Sequence, residues 1–330
     1  MTITDFLARA RATRMLVVGD VMTDAYLWGR VDRISPEAPV PVVQVTDRSA
    51  RLGGAANVAL NAHAFGATAI VAAVVGDDDA ARTLFGLFDQ HQLPVHGLVR
   101  SAARRSTVKT RIIAGHQHIV RVDEEQEDPI APPDEDQLLE VVDTIIERDK
   151  PGVIVLEDYD KGVLTPRTIA VIIARAAAAG IPVAVDPKKR NFTAYRGVDL
   201  FKPNLKELRE GLKTEVVPGE AHSLRKAAAA LKQTLDNKAT LLTLGEHGVY
   251  ATDGAEEHRV PAHHRSIADV SGAGDTVITV AALAMAQGMG LGPLARMANL
   301  AGGLVCEHVG VVPIDAARFQ AECERLGVLA

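Results

Sequence analysis

The stretch with the clearest chemical potential is residues 269–275, Asp-Val-Ser-Gly-Ala-Gly-Asp, which precedes a glycine-free, apolar run. This run predicts a helix that ends at the next glycine. Gly272, Ala273 and Gly274 at its start leave backbone N–H groups bare, and with the helix dipole these form an anion-binding cup. Beside such a cup, Asp275 can accept a proton from a hydroxyl that attacks a phosphoryl group. The alternative is an ordinary aspartate cap after a glycine-rich turn.

The overall composition is that of a globular protein. The chain has 330 residues, is 47% hydrophobic and 24% charged, and carries a formal net charge of −6. This length allows one large domain or two smaller ones with a sizeable core, and the negative charge argues against nucleic-acid binding. No run approaches the roughly 20 apolar residues of a membrane helix, and residues 1–14 lack a signal-peptide core. Two cysteines, Cys306 and Cys323, fit a reducing compartment, so we expect a cytoplasmic enzyme or binding protein.

Strand and helix patterns alternate along most of the chain. Predicted strands cover residues 15–19, 67–75, 152–156, 182–185 and 240–244. Predicted helices cover residues 80–91, 166–179, 221–235, 276–287 and 293–307. The alternation predicts an α/β fold of three layers, with a mostly parallel sheet covered by helices on both faces. Polar residues repeatedly follow the strand ends, which is where a ligand site assembles in such a sheet.

Residues 25–48 do not follow this alternation. Three prolines within six residues exclude a helix or a central strand there, and the flanking residues predict short strands of a β flap. Exposed apolar flap strands tend to find a partner, so we expect a homodimer through this lid. We therefore predict one domain over residues 1–330, with a lid formed by about 25–48 and part of 100–122.

Two further stretches carry candidate substrate contacts. Asp24 follows the end of the first predicted strand, where its carboxylate can accept a substrate hydroxyl or cap a loop. Gly53 and Gly54 allow a ligand to approach the backbone closely. Asn57, one helical turn further, offers a donor and an acceptor to a polyol. The alternative is a simple turn with Asn57 on the surface.

A basic segment follows at residues 100–111, which contain five basic residues and no acidic ones. If the segment is a strand, Arg105, Lys109 and Arg111 share one face. Such a face can clamp a fixed anion such as a sugar phosphate, although a charge run can also be a solvated surface. The acidic stretch 123–136, with three prolines, predicts a surface loop.

Four short motifs occur in a fixed order. They are residues 53–59 (Gly-Gly-Ala-Ala-Asn-Val-Ala), 204–207 (Asn-Leu-Lys-Glu), 245–248 (Gly-Glu-His-Gly) and 269–275. In this order they resemble the substrate, metal, nucleotide and catalytic motifs of the ribokinase-like PfkB sugar kinases. The resemblance runs from residue 15 to about 315. It implies a ribokinase-like fold with a small β lid, ATP as the phosphoryl donor, a sugar acceptor and Mg²⁺.

The resemblance also implies roles for individual residues. Asp275 is the implied base, and Gly272, Ala273 and Gly274 stabilise the developing charge. The implied contacts to sugar hydroxyls are Asp24, Gly53, Gly54, Asn57 and Asp158. Mg²⁺ is reached by Asn204 and Glu207 through water. The implied ATP contacts are Lys188, Asn204, Glu207, Thr243, Gly245, Glu246, Gly248, Ser271 and Asn299.

A narrower resemblance points to D-glycero-β-D-manno-heptose 7-phosphate kinases. It is carried by residues 19–26, 158–162, 186–188 and, most specifically, 33–42 (Arg-Ile-Ser-Pro-Glu-Ala-Pro-Val-Pro-Val). It implies phosphorylation of O1 to give the 1,7-bisphosphate, on the route to ADP-heptose and the lipopolysaccharide core. Many relatives carry a fused adenylyltransferase domain, and the resemblance implies a stand-alone kinase here.

The 7-phosphate of that substrate requires cations remote from the base. Arg105, Lys109 and Arg111 are the first candidates, with Arg33 or Lys161 as helpers. Relatives often place K⁺ near the loop around Asp269, which makes K⁺ a further candidate cofactor.

Other functions remain open. The acceptor can be another sugar, sugar phosphate or nucleoside. A catalytically silent sugar sensor and a dinucleotide-dependent oxidoreductase are further alternatives. The G-x-G-x-x-G fingerprint of the last class is absent after the first strand, where residues 19–24 read Gly-Asp-Val-Met-Thr-Asp.

Overall fold

The computed structural model describes residues 1–115 and 117–329. The strands in chain order are β1 (Arg14–Gly19), β2 (Val21–Ile34), β3 (Pro41–Gly54), β4 (Thr68–Gly76), β5 (Leu98–Ser101), β6 (Thr107–Ala114), β7 (Gln117–Glu124), β8 (Val153–Glu157), β9 (Val183–Asp186), β10 (Leu200–Phe201), β11 (Ala239–Thr243), β12 (Val249–Thr252) and β13 (Glu257–Val260). The helices are α1 (Ile3–Ala12), α2 (Ala55–Ala64), α3 (Asp79–Gln90), α4 (Pro132–Asp149), α5 (Pro166–Ala179), α6 (Leu205–Leu212), α7 (Ala221–Leu235), α8 (Ala273–Ala286), α9 (Leu291–Val305) and α10 (Ala316–Leu326).

In the described part of the chain the main sheet has nine strands, in the order β13-β12-β11-β10-β9-β8-β1-β4-β5. Strands β11 to β5 run parallel, and β12 is antiparallel to both of its neighbours. Strand β1 shows how the layers form. Its Met15 and Val17 pack into a core with α1, α2, α8 and α9, whereas Leu16 and Val18 pack on the other face with α4, α5 and α7. The predicted three-layer α/β fold is confirmed.

The second sheet is the small β lid of that fold, in the order β3-β2-β6-β7. Strands β2 and β3 form a long antiparallel ribbon, buried near Val21 and exposed near Ile34. The predicted short strands are therefore only parts of two 14-residue strands. Strand β6 pairs in parallel with β2 and places Lys109 beside Asp24. That this sheet moves as a lid, or forms a dimer, remains a prediction.

Several predicted elements need correction. Helix α8 begins at Ala273, three residues before the predicted start, because Gly272 serves as its N-cap in a left-handed conformation (φ +79°). The stretch 123–136 is not all loop, since β7 extends to Glu124 and α4 begins at Pro132, in the first turn where proline is tolerated. The helix predicted at 293–307 is followed by another, α10. The predictions at 166–179 and 221–235 coincide with α5 and α7.

The structure can be compared with two observations from the sequence, on membrane helices and on the cysteines. No helix within residues 1–115 and 117–329 combines the length and apolar character needed to cross a bilayer. Cys306 and Cys323 are free and buried. Burial raises the pKa of the Cys323 thiol to about 12, so this side chain acts as a packed apolar group.

Candidate active site

Asp275 lies in the first turn of α8, and its side chain is almost fully buried (2% exposed). Asn57 Nδ2, from the first turn of α2, donates to Oδ2 over 2.7 Å. The Tyr159 hydroxyl, from the loop after β8, donates to Oδ1 over 2.7 Å. The fold thus brings the predicted Asp275 and Asn57 together. Tyr159 belongs to no predicted site, and only the tertiary structure places it against the carboxylate.

The start of α8 provides the predicted anion cup. The first helical hydrogen bond runs from Thr276 N to Gly272 O over 3.1 Å, and Ala273 N makes a longer turn bond of 3.3 Å. Among the described residues, the N–H groups of Gly272, Gly274 and Asp275 have no acceptor. Three N–H groups at the positive end of a helix dipole are therefore available to an anion beside the Asp275 carboxylate.

The carboxyl of Asp275 has the acidity that a general base requires. Burial raises the pKa of Asp275 to about 6, and the hydrogen bonds from Asn57 and Tyr159 oppose that rise. A carboxyl with this pKa is mostly ionised at neutral pH and still accepts a proton readily. Asp275 can therefore take a proton from a hydroxyl bound next to it.

Asp24 forms the buried end of the small sheet, with only 4% of its side chain exposed. It pairs with the Arg111 guanidinium from the neighbouring strand β6. Burial raises the pKa of Asp24, and the charge of Arg111 opposes that effect. A Cβ on Gly53 would lie 2.2 Å from Asp24 Oδ2, so only glycine fits there. Arg111, predicted as a phosphate ligand, is already engaged in neutralising Asp24.

The other predicted cations do not form a single face. Arg105 lies in the loop before β6 with an exposed side chain, so the prediction that it shares a strand face with Lys109 is wrong. Lys109 and Lys161, from β6 and the loop after β8, both bond to Glu125, over 2.6 and 2.9 Å. Arg33 is exposed near the outer end of β2 and takes no part in this group.

Asp158 is bonded within the protein interior. Its side chain is 1% exposed and accepts hydrogen bonds from the Tyr195 hydroxyl over 2.6 Å and from Asp160 N over 2.8 Å. Burial, together with the nearby charge of Asp20, raises the pKa of Asp158 to about 7. The structure does not link this carboxylate to Asp275, and its contact with a sugar remains a prediction.

Three buried carboxylates form a cluster that no sequence motif predicted. Glu157 and Asp186 end strands β8 and β9, and one oxygen from each lies within 4.8 Å of the others and of an Asp275 oxygen. Within the described residues, neither Glu157 oxygen nor Asp186 Oδ1 has a hydrogen-bond donor. Burial and the charges of Asp186 and Asp275 raise the pKa of Glu157 well above its usual range. Such orphaned oxygens are costly, which indicates a ligand.

Two lysines face this cluster. Lys202 is buried, with Nζ 2.8 Å from Asp186 Oδ2. Lys188 Nζ lies 2.7 Å from Glu207 Oε1 and 3.7 Å from Asp186 Oδ1. Counted as ionised, the three clustered carboxylates and Glu207 exceed the two lysines by two negative charges. This excess and the orphaned oxygens fit one divalent cation such as Mg²⁺.

The predicted metal motif caps helix α6. Asn204 Oδ1 accepts a bond from Glu207 N over 2.9 Å, and Glu207 Oε2 accepts one from Asn204 N over 2.8 Å. This reciprocal pair is a capping box, and Lys188 takes the remaining Glu207 oxygen. Among the described residues, the cluster oxygens without a donor are the two of Glu157 and Asp186 Oδ1. An approach of Asn204 and Glu207 to Mg²⁺ through water remains a prediction.

Predicted nucleotide contacts adjoin this motif at the end of β11. Thr243 forms an isolated bridge with Asn204, which fixes the two predicted residues side by side. The following Gly245–His247 segment, which includes the exposed Glu246, is a 3-10 turn. Gly248 closes it with a positive φ of 81°. The site therefore has a tight, glycine-bounded turn at the carboxyl edge of the sheet.

The remaining two predicted nucleotide residues make structural contacts. Ser271 donates its N–H and its hydroxyl to Asp269 Oδ1, over 3.0 and 2.9 Å. Asp269 Oδ2 accepts a further bond from Gly310 N over 2.9 Å. Asn299 on α9 donates to the Pro261 carbonyl over 2.9 Å. These bonds fix the loop before α8, and the roles of Ser271 and Asn299 toward ATP remain predictions.

A base beside an anion cup, on a three-layer α/β fold with a small β lid, defines a phosphotransferase of the ribokinase-like class. The family profile described as pfkB family carbohydrate kinase matches residues 12–316. The chain belongs to the PfkB family of carbohydrate kinases and is a sugar kinase.

Curated relatives agree with this assignment. The chain is similar to the bifunctional protein HldE of Methylobacillus flagellatus (42% identity over 311 residues) and of Caulobacter vibrioides (44% over 318). These matches cover 94% and 96% of this chain but 63% and 64% of the relatives, so the chain spans less than two thirds of their length.

Solved structures share the fold at low identity. Phosphofructokinase-2 from Escherichia coli, in complex with potassium, matches with a TM-score of 0.77 and 20% identity, over 95% of this chain and 100% of that one. Ribokinase from Arabidopsis thaliana, complexed with ribose and ATP, matches with a TM-score of 0.71 and 17% identity, over 93% and 98%. At these identities the likeness shows the fold alone.

Replacing Tyr159 with phenylalanine tests whether its hydroxyl tunes the base. The change removes a donor to ionised Asp275, so the pKa of Asp275 should rise. Because the base must be ionised, the acid limb of kcat/KM for the sugar should move to higher pH by about one unit. The measurement is a pH–rate profile through pH 5 to 8.

Tyr250→Phe is the matched control, since it removes the same atom from a tyrosine that donates to Glu257 Oε2 over 3.0 Å instead. Its acid limb should stay at the wild-type position. If the acid limb of kcat/KM lies at the same pH in the wild type and in Tyr159→Phe, the hydroxyl does not set the acidity of Asp275.

Proposed function

We propose that this kinase transfers the γ-phosphoryl group of ATP to O1 of D-glycero-β-D-manno-heptose 7-phosphate. The observation that carries the reaction type is the ionised Asp275, held by Asn57 and Tyr159 at the open start of α8. The choice of heptose is supported by the resemblance of residues 33–42 and 158–162 to heptose 7-phosphate kinases. The identity of 42% to bifunctional HldE proteins supports the same choice.

The reaction follows from the position of the base. The sugar O1–H donates to the Asp275 carboxylate, and O1 attacks the γ-phosphorus as the proton moves to Asp275. The O1–P bond forms, the bond between the γ-phosphorus and the bridging oxygen breaks, and ADP leaves. Because phosphoryl transfer is loose, the carboxylate contributes mainly by aiming O1 and removing its proton late. Asp275 then returns the proton to solvent.

The developing charge requires neutralisation on the ATP side. The N–H groups of Gly272 and Gly274, which have no acceptor among the described residues, are proposed to bind the transferring group. Lys188 offers an ammonium at the edge of the acidic cluster. Mg²⁺, when bound, would neutralise the phosphate oxygens, and Glu157 and Asp186 have the free oxygens to hold it.

On the sugar side the contacts are of two kinds. Asp24, Asn57 and the backbone of Gly53 and Gly54 are proposed to hold the hydroxyls. Lys109 and Lys161, which converge on one carboxylate, are proposed to hold the 7-phosphate. Product release would supply the 1,7-bisphosphate to the later steps of ADP-heptose synthesis.

A homodimer through the lid is part of the proposal. Several large apolar side chains are exposed on the small sheet, and their burial against a second copy would remove them from water. The side chains are Ile34 (61% exposed), Val45 (37%), Val120 (48%) and Val122 (46%).

A substrate panel tests the proposed acceptor. The rate of ADP release would be measured with heptose 7-phosphate, the heptose without its phosphate, ribose and fructose 6-phosphate. We expect kcat/KM for heptose 7-phosphate to exceed that for the unphosphorylated heptose by about 10²-fold, the worth of one or two charged hydrogen bonds. A ³¹P spectrum would show phosphate at O1. Equal or higher kcat/KM for another acceptor would assign that acceptor instead.

A further inference from the structure

Lys109 and Lys161 come from separate parts of the fold and converge on one carboxylate. Glu125 Oε2 lies 2.6 Å from Lys109 Nζ, and Glu125 Oε1 lies 2.9 Å from Lys161 Nζ. The three side chains are largely buried, at 13%, 9% and 19% exposure. One anion therefore bridges two partly desolvated ammonium groups through two separate oxygens.

Glu125 belongs to residues 123–127, Asp-Glu-Glu-Gln-Glu, which we call the acidic strap. Its Asp123 lies 3.2 Å from Lys109 Nζ, and its Glu127 lies 2.9 Å from Lys161 Nζ. Burial alone would raise the pKa of Glu125, but hydrogen bonds from both lysines lower it. The strap thus supplies carboxylates to both Lys109 and Lys161.

The lysine pair borders the sugar side of the site. Lys109 pairs across the strands with Asp24. The backbone of Lys161 is fixed by the buried Asp20, whose Oδ2 accepts bonds from both Tyr159 N (2.8 Å) and Lys161 N (3.0 Å). Tyr159 bonds to Asp275, and Lys161 follows Tyr159 by two residues. The same loop therefore carries a partner of the base and a member of the lysine pair.

We propose that Glu125 holds the place of the substrate's phosphate group in the free enzyme, and that a phosphate bound to Lys109 and Lys161 displaces it. The inference rests on the proposed function, since it names the subsite and the group that vacates it. A phosphate, like a carboxylate, presents two oxygens on one atom to two ammonium groups, and it carries more charge. The exchange leaves the lysines neutralised throughout.

The strap has other partners that keep it attached after the exchange. Arg121 bonds to Asp123 over 2.8 and 2.9 Å, and Arg190 bonds to the Glu127 carbonyl. Both arginines are half-exposed, and neither bonds to Glu125, so these bonds do not depend on its buried position. Glu125 is the one strap acid that bonds to both lysines, and its displacement frees the subsite without detaching the segment.

Binding of inorganic phosphate to the full chain tests the proposal by calorimetry. Glu125→Gln should bind phosphate about tenfold more tightly than the wild type, because a competing ion is removed. KM for heptose 7-phosphate should fall, and KM for the unphosphorylated heptose should not change. Glu124→Gln is the matched control. It removes the same charge from the neighbouring residue, whose side chain forms no ion pair within the described part of the chain. Lys109→Met and Lys161→Met should each abolish phosphate binding.

Hydrogen exchange on the wild type gives a second, variant-free measurement. Phosphate should increase exchange in residues 123–127, since the strap loses its buried partners. Wild-type phosphate affinity in Glu125→Gln, or slower exchange in the strap, would overturn the placeholder role. Phosphate binding to the lysines without any preference for a phosphorylated sugar would retain the subsite and reject heptose 7-phosphate as the substrate.

Discussion

Replacement of Asp275 by asparagine should lower kcat by about 10²–10⁴-fold, the usual contribution of a general base. KM for ATP and for the sugar should stay near the wild-type values, since the amide keeps the shape of the side chain and an oxygen for the Asn57 or Tyr159 donor. The proton of the attacking hydroxyl would then have no acceptor. The wild-type acid limb should lie near pH 6, because the pKa of Asp275 is about 6 and activity is lost as the pH falls through it.

The assay is ADP release at saturating ATP, with binding of both substrates measured separately by calorimetry. Asp315→Asn is a suitable control, since Asp315 caps α10 and has no proposed role in the chemistry. Its kcat should match that of the wild type. A kcat for Asp275→Asn within threefold of the wild type would rule out Asp275 as the base, whatever the binding data show.

The catalytic stretch was predictable because its chemistry is local. Gly272 to Asp275 are consecutive, so the helix geometry alone sets the carboxylate beside the bare N–H groups. The family motifs placed Asn57 in the same site as a sugar contact, but its hydrogen bond to Asp275 was not predicted. No local pattern could show that Tyr159 meets Asp275, since that contact requires β8 and α8 to pack against each other.

Helix α4 was not predicted, because its prolines favoured a loop. Pro132 and Pro133 stand in its first turn, where a missing N–H has no cost. Its buried residues follow helical spacing and are Leu138, Leu139, Val142 and Ile145. This helix could have been predicted. The position of Arg105 could not be predicted. The five-residue loop before β6 and the strand itself both contain positively charged residues, so the charge pattern does not mark where the strand begins.

The acidic cluster depends on strand order, which a single sequence does not provide. Glu157, Asp186 and Lys202 follow or end three strands, β8, β9 and β10, that are neighbours in the sheet. Each residue fits the rule that polar groups follow strand ends, and that was the only signal. Adjacent parallel strands then bring them together with the helix that carries the base.

Lys202→Met should destabilise the protein by about 3–5 kcal/mol, because it removes one partner of a buried ion pair. Lys202 Nζ lies 2.8 Å from Asp186 Oδ2, and the two side chains are 2% and 5% exposed. Burial alone would lower the pKa of Lys202, but the charges of Asp186 and Glu207 raise it. Methionine keeps the apolar stem and removes the charge, so the loss measures electrostatics and not packing. Urea unfolding at neutral pH gives the free energy.

Lys238→Met provides the matched control, because Lys238 pairs with Asp199 over 2.6 Å with 74% of its side chain exposed. That change should cost less than about 1 kcal/mol. The double variant Lys202→Met/Asp186→Asn should recover part of the loss, since it also removes the unpaired charge. Equal costs for Lys202→Met and Lys238→Met would show that Lys202 does not hold the acidic cluster together.

The pH dependence of the stability loss in Lys202→Met distinguishes an electrostatic cause from a packing defect. Without Lys202, the carboxylates near Asp186 face less positive charge, and the pKa of Glu157, already raised by burial and by Asp186 and Asp275, should rise further. A carboxyl with a higher pKa in the folded state binds more protons when folded, so its destabilising effect fades as the pH falls. The deficit of Lys202→Met should therefore shrink below neutral pH, toward the ordinary glutamate pKa. A packing defect would cost the same free energy of unfolding at every pH. The slope of the stability loss against pH therefore distinguishes the two causes.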